Sequence, residues 1–132
     1  MIRKLRLVRD ARGATVIEMA FALPVLIIMM WMIIQLGLVF RAMSGIQHAL
    51  GEGARAATLW PQPSDDAIKA KITDAVYGIG PGDFDISDPV PGTISGSGYL
   101  DLNVTYTQST DLLFLPGPTV SVSRSKRVWV AD

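Results

Sequence analysis

Apolar positions are packed together near the N-terminus and spaced out along the rest of the chain, and the changes in spacing divide the sequence into three stretches. From Met19 to Ile34 it reads MAFALPVLIIMMWMII, then continues through Gln35, Leu36, Gly37, Leu38, Val39 and Phe40 to Arg41, the first charge after Glu18. Residues 19–40, at about 1.5 Å each, give roughly 33 Å, close to the thickness of a bilayer core. A helix apolar on every side has no place inside a small soluble domain, so this stretch predicts a membrane span. Past Arg41 the pattern becomes one-sided. Met43, Ile46, Leu50, Ala54 and Ala57 recur at steps of three and four, while Arg41, Gln47, Glu52 and Arg55 lie largely off that stripe. One helix is therefore expected from about Ala14 to about Leu59, transmembrane over about 19–40 and amphipathic over 41–59. Trp60-Pro61-Gln62-Pro63 ends it, because the prolines cannot continue a helix.

The remainder, residues 60–132, reads as one small extracytoplasmic α+β domain. Ser64-Asp65-Asp66 is an N-cap sequence, and Ala67, Ile68, Ile72, Ala75 and Val76 mark one face of a short helix that Tyr77 to Gly82 brings to an end. The period then changes to two. Phe84 and Ile86 hint at a strand, Tyr99 to Tyr106 alternates plainly, and Val120, Val122, Val128 and Val130 continue the alternation. Leu112 to Pro118 reads as an apolar loop between the last two strands. A sheet with one apolar face needs a cover, and the helix stripe supplies it. The expected fold class is α+β: a long N-terminal transmembrane and amphipathic helix packed on a small antiparallel sheet of three or four strands, plus a short helix.

Charge sets the direction of the predicted span. Arg3, Lys4, Arg6, Arg9 and Arg12 precede it with only Asp10 opposing them, whereas seven Lys or Arg face ten Asp or Glu after Phe40. Such a bias keeps the N-terminus in the cytoplasm and sends residues beyond the span across the membrane. The same count gives no support to nucleic-acid binding, since the basic residues flank the span and the distal part is mildly acidic. The chain has 132 residues, no cysteine and one histidine, so disulfides, thiolate metal sites and cysteine nucleophiles are excluded. His48 stands alone on the amphipathic stretch, Asp65 and Asp66 suit a helix start better than acid–base work, and no nucleophile elbow, phosphate loop or paired catalytic carboxylates can be found. No cofactor or metal is expected, and the chain does not read as an enzyme.

Two residues in the apolar block conflict with their surroundings. Pro24 removes one backbone hydrogen bond from the expected helix and predicts a kink or a local break. Glu18 places a carboxylate in apolar surroundings, where an ionisable group is costly and by default functional. Arg12, the nearest basic residue before it, is six positions away and on another face. A cut after Gly13 would create a new α-amino group on Ala14, and such a cation on a neighbouring chain would be a partner for Glu18. Further along, Gly45, Gly51 and Gly53 weaken the helix by up to about 1 kcal/mol each relative to alanine. They either admit a close neighbour or are merely tolerated, and Glu52 and Arg55 are spaced to pair on its surface.

A basic leader, a glycine, four mostly apolar residues, a glutamate and a long apolar helix together resemble the prepilin peptidase signature of type IV pilins. Within that group the chain is most similar to the TadE-like pseudopilins of the tight adherence (Tad, Flp) pilus system, above all in Gln47 to Ala57 with its Glu52-Gly53-Ala54-Arg55 run. Met19 and Phe21 depart from the pattern, in which the residue after the glutamate is often aromatic. The resemblance implies a leader over residues 1–13 cut between Gly13 and Ala14, and a minor pilin or pseudopilin at the inner membrane, or extracellular within a pilus. It further implies partnership with a prepilin peptidase, other pilins, and the platform and ATPase of the Tad machine. The alternative is a signal-anchored single-pass envelope protein that never assembles. A cleaved secretory signal fits less well, because the apolar block is too long and Gly37 to Arg41 is a poor cleavage site.

Overall fold

The computed structural model describes residues 11–111, 113 and 115–130, with side chains from Gly13 onward. The basic leader up to Asp10, Leu112 and Phe114 of the expected apolar loop, and Ala131 and Asp132 at the C-terminus lie outside the described residues. Helix α1 spans Ala11–Ala57 and runs unbroken through Pro24. Helix α2 spans Asp65–Val76, with Ser64 as its N-cap: the Ser64 hydroxyl accepts from the Ala67 N–H at 3.3 Å. Asp65 and Asp66 occupy its first turn, where negative charge suits the helix dipole.

Four antiparallel strands follow: β1 (Asp83–Ile86), β2 (Val90–Ile94), β3 (Ser97–Asp111) and β4 (Pro116–Trp129). The long β3 is the centre. β1 pairs with its later half (Phe84 opposite Tyr106) and β2 with its earlier half (Pro91 opposite Leu100), both along one edge, while β4 covers the other. Ser95 and Gly96, both at positive φ, form the two-residue turn joining β2 to β3, the conformation that matches the twist of a hairpin. The loop expected over Leu112–Pro118 is shorter than its composition implied, because Pro116 opens β4 opposite Asp111. A proline is tolerated at the first residue of an edge strand, where no ladder N–H is required.

The core forms where α1, α2 and the inner face of β3 meet. Leu100, Leu102, Val104, Tyr106 and Gln108 alternate inward along β3, against Ala42, Ile46, Ala49, Leu50, Ala54 and Ala57 of α1 and Ile68, Ile72 and Val76 of α2. The outer half of α1 is thus the amphipathic half, as its stripe predicts. Its small residues set the spacing. A Cβ on Gly53 would lie 2.5 Å from Ile72 Cγ1, and one on Gly45 would collide with Ile79 Cδ1, whereas Gly51 faces open space. Of Gly45, Gly51 and Gly53, two therefore admit close neighbours and Gly51 is only tolerated.

Tyr106 is fully buried. Its ring packs on Phe84 with centroids 4.8 Å apart, and its hydroxyl donates to Gln108 Oε1 at 2.7 Å while accepting from the Gly82 N–H at 3.0 Å. Tyr106→Phe deprives both partners of their bond and is expected to destabilise the domain by about 1–3 kcal/mol, read as a lower urea midpoint of the full chain in detergent. On the outer face of the sheet Arg127 forks onto Asp101 at 2.8 and 2.7 Å and lies 4.0 Å from the Tyr99 ring centroid. The guanidinium hydrogen bonds hold the Asp101 carboxyl below its ordinary range.

Candidate functional site

Two regions of α1 bear chemistry that the core does not explain. The first is its bare N-terminal half. From Gly13 to Leu26 every described side chain is exposed, Val16, Ile17, Phe21 and Leu23 among them, and the helix is long and apolar enough to cross a membrane once. Apolar surface on this scale in water would be a strong drive to associate, so a lipid or protein environment is required. Gly13 and Ala14 lie on this exposed helix, within its first four residues. Glu18 is exposed one turn beyond Ala14, and among the described residues it makes no ion pair. Among the described residues no Lys, Arg or His side chain lies within ion-pairing distance of Glu18.

The second region is the junction where the sheet grips the helix. Gln35, the one strongly polar side chain between Met19 and Phe40, is only 6% exposed. Its amide Nε2 donates to the Asp111 carbonyl, and its Oε1 accepts from the Asp111 N–H at 3.1 Å. One turn earlier, Trp31 Nε1 donates to Asp111 Oδ1 at 2.7 Å, and the same oxygen accepts from the Leu113 N–H at 3.3 Å. The end of β3 is therefore pinned to α1 through both backbone groups and the side chain of one residue. The pairing register shifts between Ser109 and Asp111, where β4 carries one residue more than β3. Sequence reasoning passed over Gln35, although an isolated amide in an apolar run was the signal available. Gln35→Ala leaves two backbone groups of Asp111 without partners, and we expect the domain to loosen by about 1–3 kcal/mol. Faster hydrogen exchange at Asp111 and Leu113, with exchange in the core less affected, would be its mark.

The Glu52-Gly53-Ala54-Arg55 run divides between two faces. Gly53 and Ala54 are buried against the domain, while Glu52 and Arg55 point outward. The ion pair their spacing allows is not formed, and among the described residues the ion pairs are Lys69–Asp88 and Arg127–Asp101. The gain from an exposed pair of this kind is only about 0.2–0.5 kcal/mol, too little to hold two long side chains in register. His48 is exposed on the same helix, and among the described residues no group of three or more His, Cys, Asp or Glu could hold a metal ion.

Comparison with known proteins bears on the helix alone. Residues 13–55 match the family model for TadE-like proteins, a stretch that begins at the expected cleavage glycine and ends with Arg55 of the family-like run. This accords with the resemblance drawn from the sequence and points to the Tad pilus system. The match covers about a third of the chain and leaves α2 and the sheet outside it. No curated protein and no solved structure matches.

Proposed function

We propose, from the premise that residues 13–55 are a TadE-like helix, that this chain is a minor pilin or pseudopilin of a Tad-type pilus used for surface adhesion. A prepilin peptidase cuts it after Gly13. The product waits in the inner membrane with Ala14 at the cytoplasmic side and residues 60–132 in the periplasm, and then joins or primes a filament through its helix. One observation carries this reading: in a helix of 47 residues the stretch from Gly13 to Ile27 is bare, largely apolar surface, and the domain packs on the helix beyond it. A helix built that way packs laterally with others of its kind once it leaves lipid, because its apolar side chains stay covered throughout the transfer. Glu18 supplies register. The α-amino group of Ala14 on a neighbouring chain pairs with it, so cleavage creates the cation that assembly uses. Prepilin peptidase, other pilins, and the platform and ATPase of the machine are the partners in this account, and the chain is the substrate of the peptidase.

Photo-crosslinking from position 26 of α1 in intact cells tests the assembly step. Adducts with other pilin-type subunits, lost when the assembly ATPase is inactivated, are the expected outcome. Adducts with lipid alone, in cells that make pili, would instead mark a signal-anchored envelope protein that does not assemble.

A further inference from the structure

The pinned end of β3 fixes a second feature relative to the membrane. Leu102 lies near the position of Gly53, and Asp111 is bonded to Gln35, so β3 runs back down α1 toward its N-terminus. The lengths agree: residues 102–111 at about 3.3 Å each cover roughly 30 Å, and residues 35–53 of the helix at about 1.5 Å each cover roughly 27 Å. Leu113, whose N–H shares the Asp111 carboxylate oxygen with Trp31, therefore lies at the level of Trp31. A span of about 30 Å that begins at Ala14 ends about 20 residues later, near Ile33. The turn is thus at the outer edge of the bilayer, and a span over residues 19–40 would place it deeper still.

The chemistry of the turn suits that position. Leu115 is 66% exposed and Leu113 is 39% exposed, the latter held at φ 70°, a left-handed conformation that a leucine adopts only when its surroundings impose it. No charged residue occurs from Leu112 to Ser123, and the one carboxylate at the edge, Asp111, is bonded to Trp31 and to the Leu113 N–H. Above the turn, Pro118 and Val120 line a small apolar groove with Met32, Leu36 and Val39. Trp31 itself has an apolar ring and a bonded N–H, the amphipathic character found at membrane interfaces.

We propose that the β3–β4 turn is a lipid-binding element: Leu113 and Leu115 insert into the outer boundary of the same bilayer that α1 spans, and the Gln35–Asp111–Trp31 bonds set their depth. The domain then has two attachments to the membrane, which hold the sheet in a fixed orientation on its surface until α1 is extracted. This proposal rests on the membrane-span reading of α1, and the experiment separates the two. Because the chain has no cysteine, single-cysteine variants label cleanly. Leu26→Cys, Leu115→Cys and Ser95→Cys, each bearing an environment-sensitive fluorophore, are compared in the full chain reconstituted in vesicles containing nitroxide-labelled lipids. Ser95 lies in the exposed turn at the far end of β3, a strand that covers roughly 46 Å from Ser97 to Asp111 at about 3.3 Å per residue. Quenching at Leu26 and at Leu115, the latter at least about twofold above Ser95, is the expected pattern. Quenching at Leu26 with Leu115 no different from Ser95 overturns the lipid element while leaving the anchor. Quenching at neither Leu26 nor Leu115 overturns both. A Leu115 label that is shielded only at high protein density, and not quenched by lipid, assigns the turn to contact with another subunit and also overturns the proposal.

Discussion

Glu18→Ala is expected to leave cutting after Gly13 intact while lowering association of the processed helix by a factor of about a hundred or more. Removing one member of a buried ion pair costs about 3–5 kcal/mol, because the remaining charge keeps its desolvation penalty and loses its partner. Each factor of ten corresponds to about 1.4 kcal/mol, so assembly should fall below detection unless other contacts compensate. In the isolated chain Glu18 is exposed and makes no ion pair among the described residues, so folding of the domain should be unaffected by the change. Glu18→Gln separates charge from shape: it keeps hydrogen-bonding capacity but cannot pair with an ammonium group as an ion, and it should behave like alanine. Sheared-pilus yield compared with membrane levels of the cut product reads both steps. Normal piliation in either variant would remove the proposed role of Glu18.

The opposite result is expected of Gly53→Leu: an intact anchor with a damaged domain. A Cβ at this position would stand 2.5 Å from Ile72 Cγ1 and 2.7 Å from Ile72 Cδ1, and 3.4 Å from Leu102 Cδ1. Ile72 is buried, and a leucine would need the whole of α2 to move away from α1. Overpacking of this size should cost about 3 kcal/mol or more, a large share of the stability of so small a domain. Gly51→Ala, facing open space on the same helix, is the control and should be neutral or stabilising. Urea unfolding of the two full-length variants in detergent checks the pair. Equal midpoints would mean that the close packing of α1 on α2 contributes nothing to the fold.

The long helix, the cap at Ser64 and the alternation of β3 were legible because each depends on spacing within one segment. Ser64 stands one residue before the helix it caps, and Tyr99 to Tyr106 alternates under any topology. Strand β2 was not legible. Its Val90-Pro91-Gly92-Thr93-Ile94 sequence has the composition of a loop, and it pairs because it lies on an edge with a two-residue turn feeding it into β3. The single β4 shows in the sequence only as scattered valines, since Arg124 and Lys126, both exposed, interrupt the apolar alternation on its inner face.

The site divides in the same way. Gly13 and Glu18 stand out by type and position, and Glu52 to Arg55 by pattern, yet burial of Gly53 and Ala54 with exposure of Glu52 and Arg55 emerges only from the docked domain. The bond between Gln35 and Asp111 joins residues 76 positions apart, and no local pattern anticipates it.

Mass spectrometry of the chain recovered from membranes tests the central claim most directly, because cutting after Gly13 is what separates a pilin-type subunit from any other anchored protein. The account predicts a mature N-terminus at Ala14, absent when the prepilin peptidase is removed. A chain that retains Met1, or that begins at any residue other than Ala14, would contradict it.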